Sequence, residues 1–403
     1  MLYRADRVIA GHGEVVVKGA IRVEGNRITA VDRADLLPPL KREEIVDLPG
    51  HVLSPGFINS HCHLDYSRMK GLLPGGGFTK WIQSLNALKR TFSDDDYLDA
   101  IEHGFRLLMR SGTTTVANIE SFPELLPRLR TPPIRAWWFL ELSDLTQRFT
   151  SDEHVFGMLS FFQQRDDWLG GFGISPHAPY SASLDLYRLA KRCSDLYGMP
   201  FTTHIAESRD ENEMFAYGDG PLYELMQRNG RDMSDCGEGS ALSHLMENEV
   251  LTSQCLAVHL NYLQDYDWPL LIGSGASVVH CPHSHAYFGY HKFELERMRA
   301  EGINICVGTD SLASNIALDL RSEIRQARWQ HPGLPDSEWW KMITVNPARA
   351  LGQAGQLGEI TPGALADLVA FPLREGEDPF SSLINSKEVP SCLVVGGERV
   401  IST

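Results

Sequence analysis

Residues 56–67 read GFINSHCHLDYS, an apolar run that ends in two histidines one residue apart, His61 and His63. Side chains on a strand alternate between its two faces, so both imidazoles point the same way. Two polar residues on a wet face would fit that pattern. So would half of a metal site, since imidazole is a common zinc ligand that needs convergent partners at about 2.0–2.1 Å. The pair alone does not choose between them, and the choice rests on what the rest of the chain brings to the same place.

Working outward, short apolar stretches alternate with helical ones from Phe57 to Asp310. Eight read as strands: FINSHCH, TTTVANIE, IRAWWFLEL, GFGISPH, PFTTHIAE, CLAVHL, SVVHCP and NICVGTD. Strands separated by helices indicate a parallel sheet with helical crossovers, and eight of them predict an α/β fold of the (β/α)8 TIM-barrel type, whose active site lies at the C-terminal strand ends. A helix over Ser93–Arg110 fits the outer ring. The segment from Asp65 to Phe78, with Gly75-Gly76-Gly77, reads as a loop able to cover a substrate. Before the first barrel strand, GEVVVKGAIRVEGNRITAVDR predicts two or three strands with a tight turn at Gly25-Asn26. GALADLVAFPL and PSCLVVGGERVIST near the other end have the same character. The expectation is a small β-sandwich domain built from both termini, residues 1–55 and 356–403, around a catalytic barrel of residues 56–355.

Composition narrows the function. The 403 residues, 43% hydrophobic, can bury a large core, and a net charge of -15 without any Lys/Arg block argues against nucleic acid as a partner. No apolar run approaches the roughly 18 residues that span a bilayer, and MLYRADRVIAGHG lacks a signal-peptide core, so a cytoplasmic protein with no membrane partner is expected. Seven scattered cysteines without a CxxC pair point to reduced, buried thiols.

Chemistry-bearing residues recur at the strand ends: His61 and His63 on the first, His177 after the fourth, His204 and Glu207 on the fifth, His259 on the sixth and Asp310 on the eighth. Any one could be a packed or surface residue, but a barrel brings all of them to one rim. Three imidazoles and a carboxylate can hold Zn²⁺ and leave a position for water, whose pKa the metal can lower toward about 7. His61, His63, His204 and Asp310 are the expected ligands of one divalent ion, Zn²⁺ first and Fe²⁺ as the alternative. Glu207, three residues past His204, is the expected proton shuttle. Asp310 is a second proton acceptor, and His259 is expected to stabilise charge developing on the substrate.

PGFINSHCH, HIAE, VHLNYL, CPHS and GTDSLASN together resemble the amidohydrolase superfamily, in particular its mononuclear-zinc deaminases. The resemblance runs through the whole chain, including GEITPGALADLVAF near the end. It implies the residue roles just given, hydrolytic deamination of an amino-heterocycle with water as co-substrate, and His177 as a substrate contact. Binuclear members usually carry a carboxylated lysine at the fourth strand; SPHAPYS has none, which favours a single metal. CPHSHAYF carries His285 where the pattern usually has asparagine. In the first loop and beyond, HCHLDYS, GGGFTKWIQSL and PIRAWWFLEL look most like 6-amino-6-deoxyfutalosine deaminases of the alternative menaquinone pathway. Trp81, Arg90 or its neighbour Lys89, and Ser314 join His177 as substrate-binding candidates, and a basic residue beside that tryptophan suits a carboxylated substrate. The alternatives are an adenosine, adenosylhomocysteine, guanine or pterin deaminase, a triazine-type chlorohydrolase, and a scaffold without activity. A homo-oligomer is left open.

Overall fold

The computed structural model describes residues 1–145 and 152–402. Two sheets organise it. Seven strands form the first: β1 (Leu2–Ala10), β2 (Glu14–Glu24), β3 (Arg27–Arg33) and β4 (Ile45–Pro55) from the start of the chain, with β13 (Leu368–Pro372), β14 (Cys392–Val395) and β15 (Glu398–Ser402) from its end. Their order is β15-β14-β13-β4-β1-β2-β3. The two termini thus meet where β13 runs antiparallel to β4, with Phe371 opposite Val52. Glu24 and Arg27 pair across Gly25-Asn26, the expected two-residue turn. The sheet curls so that the two ends of its sequence touch again: Asn26 accepts a main-chain bond from Ala366 at 2.9 Å. Tyr3, Val8, Ile21, Ile28, Leu53, Leu368 and Val394 share the core enclosed by that curl.

The second sheet is the barrel. Its eight parallel strands run in sequence order: β5 (Phe57–Cys62), β6 (Thr113–Glu120), β7 (Arg135–Leu142), β8 (Gly170–Pro176), β9 (Phe201–Ile205), β10 (Cys255–His259), β11 (Ser277–His280) and β12 (Ile305–Val307). Each falls within or beside one of the eight stretches read as strands. Alternate residues face two different cores, as a sheet buried on both faces requires. Ala117, Trp137, Phe139, Leu256, Val258, Val279 and Cys306 fill the interior, whereas Val116, Trp138, Ala257, Val278 and Val307 pack with the helices outside.

Closure of the barrel decides the geometry of the rim. Just past β12, the N–H groups of Thr309 and Asp310 both donate to the carbonyl of His61, each at 3.0 Å. Asn59 braces the seam by donating to Thr309 Oγ1 at 2.7 Å and accepting from Thr309 N–H at 3.1 Å. Gly308 permits the close approach, since a Cβ there would stand 2.8 Å from the His61 Cβ and 2.9 Å from its main-chain N and O.

The helix expected over Ser93–Arg110 runs from Asp94 to Ser111, because Ser93 is its cap and not its first turn. Asp96 N–H donates to Ser93 Oγ, and the Asp96 carboxylate accepts the Ser93 N–H at 2.8 Å. The loop after β5 holds a short 3-10 turn at Leu64–Tyr66 before a helix begins at Phe78. All seven cysteines are free, six of them buried, and among the described residues no helix is long and apolar enough to cross a membrane.

Candidate active site

The ends of β5, β9, β10 and β12 converge. Donor atoms of His61, His63 and Asp310 lie within 4.8 Å of one another, as do those of His61, His204 and His259, so His61 is common to both groups. Asp310 Oδ1 stands 3.7 Å from His61 Nε2 and 3.8 Å from His63 Nε2. The four expected ligands are therefore together, and His259 is as close to His61 and His204 as a fifth ligand would be. All five, and Glu207, are at most 6% exposed.

Two features suit this cluster to a divalent ion. Both ring nitrogens of His61 and the Nδ1 of His63 are buried without a hydrogen-bond partner, a costly state that coordination would relieve. The imidazoles are also in the right protonation state: burial pushes His63 and His259 down to about 3 and His204 well below its ordinary value, leaving neutral lone pairs. His204 Nδ1 donates to the His177 carbonyl at 2.7 Å, which fixes the tautomer and leaves Nε2 free to ligate. Burial alone would raise the Asp310 carboxyl, yet the imidazoles around it, His61 first, hold it well below the carboxylate range. Three residues here sit in the left-handed region that side chains rarely adopt: Asp310 (φ 54°), His259 (φ 78°) and Ala206 (φ 49°). Strain of this kind persists where the surroundings over-determine it, and clusters at functional sites.

Glu207 lies beside the donors, with Oε1 3.7 Å from His259 Nε2. Burial, then the like charge of Asp310, raises its carboxyl well above the usual range. Its main chain is tied on both sides. Glu211 accepts from the N–H groups of Ala206 (3.1 Å) and Glu207 (2.7 Å), and Asn261 Nδ2 donates to the Glu207 carbonyl (2.9 Å).

The helix Phe78–Lys89 crosses the rim as a roof. Asp210 accepts from Thr79 N–H and Oγ1 at its start, Trp81 Nε1 donates to the Ala313 carbonyl at 3.4 Å, and Lys89 Nζ donates to Tyr66 OH at 2.6 Å at its end. Tyr66 in turn stacks on His63, ring centroids 5.3 Å apart. Trp81 thus lies on the site's roof among Phe78 and Phe288. His177 is half-buried beside His204, its Nδ1 against Ser181 Oγ. Ser314 is fully buried and donates to Asp310 Oδ2 at 3.0 Å, which orients the carboxylate and leaves Ser314 no exposed atom to offer a substrate. Arg90 is turned away from the site: it caps the helix and is exposed, whereas Lys89, one residue earlier, faces inward because the helical turn points it at Tyr66.

Sequence reasoning left out an acidic wall beside His63. Asp65, Glu120 and Glu141 gather around Lys89 and Ser121, with Ser121 Oγ donating to Glu141 at 2.6 Å. Burial, partly offset by Lys89, pushes Asp65 up to about 8, and burial raises Glu120 well above its usual value. Glu141 goes the other way: burial alone would raise it, but His177, Lys89 and His63 pull it down to about 2. The signal was present, as Glu120 and Glu141 end the second and third barrel strands, but carboxylates at strand ends are common enough to pass unnoticed.

Comparison with known proteins agrees with this geometry. A 5-methylthioadenosine/S-adenosylhomocysteine deaminase of Pyrococcus abyssi is 26% identical over 422 residues, spanning 100% of this chain and 93% of that protein. The crystal structure of Helicobacter pylori aminofutalosine deaminase in complex with methylthio-coformycin superposes with a TM-score of 0.85 at 24% identity, covering 99% of this chain and 100% of that one. A zinc-bound adenosine deaminase from Xanthomonas campestris gives 0.83 at 23% identity, over 100% and 92% of the two chains. At these identities the structural likenesses speak for the fold alone. The amidohydrolase family profile, however, matches residues 52–400, from β4 to β15 and through every donor of the rim. By that match this chain is a hydrolase of carbon–nitrogen bonds and belongs to the amidohydrolase family.

Proposed function

We propose that the chain is a metal-dependent deaminase of adenosine-like nucleosides, acting in the cytoplasm, and that its preferred substrate is 6-amino-6-deoxyfutalosine, which it converts to futalosine and ammonia for menaquinone biosynthesis. The observation that carries the reading is geometric: buried Glu207, its Oε1 3.7 Å from His259 Nε2, stands beside the converging donor atoms of His61, His63, His204 and Asp310. His61, His63, His204 and Asp310 would hold the ion, which supplies Lewis acidity toward water when bound.

The chain's own groups handle the protons. Glu207 gives its proton to a ring nitrogen of the substrate, which makes the neighbouring ring carbon electrophilic. The oxygen of water bonds to that carbon as Asp310 takes up one of its protons and passes it to the exocyclic amine; the C–N bond then breaks, ammonia leaves, and the remaining hydroxyl proton returns to Glu207. Asp310 and His259 are the adjacent groups able to take up the proton released by water. Phe78 and Trp81 of the roof helix, packed against Phe288 of the helix Pro282–Phe288, supply an apolar cover that excludes bulk water.

The finer assignment rests on the first-loop segment and on the resemblance it carries. A second reading, 5′-methylthioadenosine or S-adenosylhomocysteine as the substrate, is favoured by one observation. Lys89 is already bonded to Tyr66 and lies between Asp65 and Glu141, so it is not a free cation for a substrate carboxylate. The test is a side-by-side assay of the zinc-loaded protein with 6-amino-6-deoxyfutalosine, 5′-methylthioadenosine, S-adenosylhomocysteine, adenosine, guanine, a pterin and a chlorotriazine, following ammonia and chloride. The highest kcat/KM with 6-amino-6-deoxyfutalosine is expected. Faster turnover of 5′-methylthioadenosine moves the assignment to the second reading, and chloride release without ammonia from any amino substrate would overturn both.

A further inference from the structure

His285 is the residue by which the segment after β11 departs from its usual pattern, and the function above leaves it without a task. It is buried, 3% exposed, on a short helix, Pro282–Phe288, that begins just beyond the β11 strand end. Its Nδ1 lies 2.9 Å from Asn261 Oδ1. The same asparagine spends its amide nitrogen on the Glu207 carbonyl, at 2.9 Å, so the orientation of the amide is fixed: Oδ1 can only accept, and His285 must donate from Nδ1. The chain His285 Nδ1–H to Asn261 Oδ1, and Asn261 Nδ2–H to Glu207 O, links the β11, β10 and β9 ends in one direction.

That chain bears on a place where the backbone is held against its preference. Ala206, His259 and Leu260 all have positive φ (49°, 78° and 49°). The N–H groups of Leu260, Asn261 and Tyr262 cross to the carbonyls of Ile205, Ala206 and Ala206 at 2.9–3.0 Å. Residues in such conformations are costly and survive only where neighbouring groups hold them. Glu211 grips the amide side of residues 206 and 207, and Asn261 grips the carbonyl side of 207. Remove the second grip, and the segment that aims the Glu207 carboxyl is held from one side only.

We propose that His285 is a positioning residue for the deamination: acting through Asn261, it holds the main chain of Glu207 so that the carboxyl stays aimed at the substrate ring. Burial, partly offset by the His291 main chain, lowers the imidazole to about 4, so it stays neutral across the working pH range. The proposal rests on Glu207 being the proton donor, and its test separates the two ideas.

The experiment compares His285→Leu, His285→Asn, Asn261→Leu, the double Leu variant and Glu207→Gln in the zinc-loaded protein, with 6-amino-6-deoxyfutalosine and 5′-methylthioadenosine as substrates and metal content measured alongside. A misaimed catalytic group of this kind costs up to about 10²-fold. The expected result is a kcat lowered tenfold or more in both single Leu variants, with KM within about threefold and the ion retained. The double variant should be no worse than either, and His285→Asn, whose amide nitrogen occupies the place of Nδ1, should recover most of the rate. Nitrogen-15 spectra of the labelled parent should show His285 neutral with the proton on Nδ1, a readout independent of turnover and of whether the Leu variants fold. A parent-like kcat in His285→Leu beside an impaired Glu207→Gln overturns the proposal, as do additive losses, ion loss in step with rate loss, or a proton on Nε2. A parent-like rate in Glu207→Gln instead overturns the reading of the site itself.

Discussion

The two ends of the barrel treat buried charge in opposite ways. At the C-terminal end, His61 and His63 leave three ring nitrogens without partners and Asp310 is held at a positive φ. At the N-terminal end, the start of β7 presents Arg135 to Asp367, which precedes β13 in the terminal sheet. Nε donates to Oδ2 at 2.6 Å and Nη2 to Oδ1 at 3.2 Å, and Gly396 N–H adds a further bond to Oδ1 at 2.7 Å. Both places are buried and both are charged. One is satisfied and ties the barrel to the terminal sheet; the other keeps three buried ring nitrogens without a hydrogen-bond partner. In this fold the first pattern belongs to stability and the second to chemistry, as expected for the two faces of such a barrel.

The contrast is broken most severely at the rim. Replacing both His61 and His63 with alanine should remove the ion and lower kcat by roughly 10³-fold or more, the scale of losing several kcal/mol of transition-state stabilisation. The metal-free melting temperature should fall only modestly, from lost packing such as the His63–Tyr66 stack, since three of the four lost nitrogens have no hydrogen-bond partner. Elemental analysis and calorimetry read the two halves of that statement. Full metal retention, or a large drop in metal-free stability, would erase the distinction between the ends.

At the opposite end Asp367→Ala should cost about 3–5 kcal/mol in denaturant unfolding, because it strands a buried guanidinium. The kcat of the protein that remains folded should stay within about twofold. A loss of turnover comparable with the loss of stability would mean that the terminal sheet does more than anchor the barrel.

A third measurement sharpens the comparison through pH. Burial raises the Glu211 carboxyl from 4.5 to about 7, against the opposing pull of three main-chain N–H groups. Its folded form therefore keeps a proton that the unfolded chain releases above about 4.5. The associated stability is complete below pH 4.5, declines as pH rises through the interval up to about 7, and is then gone. The parent should lose stability across that interval relative to Glu211→Gln, whose amide cannot titrate. Parallel stability curves for the two proteins would contradict it.

The smallest effects are expected at the end of the roof helix. Arg90→Ala, on an exposed side chain, should leave kcat/KM within about twofold. Lys89→Met, which removes the cation from between Asp65 and Glu141, should lower it roughly tenfold while leaving the ion in place. Equal effects would mean that the inward turn of Lys89 has no functional weight.

The rim's donors could be read from the chain because barrel strands are short and the rule for their ends is rigid. Once FINSHCH and NICVGTD are strands, His61 and Asp310 have only one place to go. The terminal sheet was legible for a similar reason, since alternation and the Gly25-Asn26 turn fix its strands and leave only the partners to be found. What sequence reasoning missed depends on side-chain direction within a helix or on contacts between loops. Whether Lys89 or Arg90 faces inward is a matter of about 100° of helical turn. The clamp of Asn261 on Glu207 depends on two left-handed residues in different loops. Ser314 was expected at the substrate, and instead bonds Asp310 because the loop after β12 folds back on its own strand end.

The seam at Gly308, Thr309 and Asp310 sets a timetable as well as a geometry. Asn59 and Thr309 lie 250 positions apart. A ribosome adding about 5–20 residues per second leaves more than about ten seconds between them. Throughout that interval the first-strand histidines exist without the carboxylate that completes their site. A metal ion therefore cannot nucleate this protein in the way that it nucleates a zinc finger. An ion held by His61, His63, His204 and Asp310 would meet its full ligand set only after the last strand has arrived.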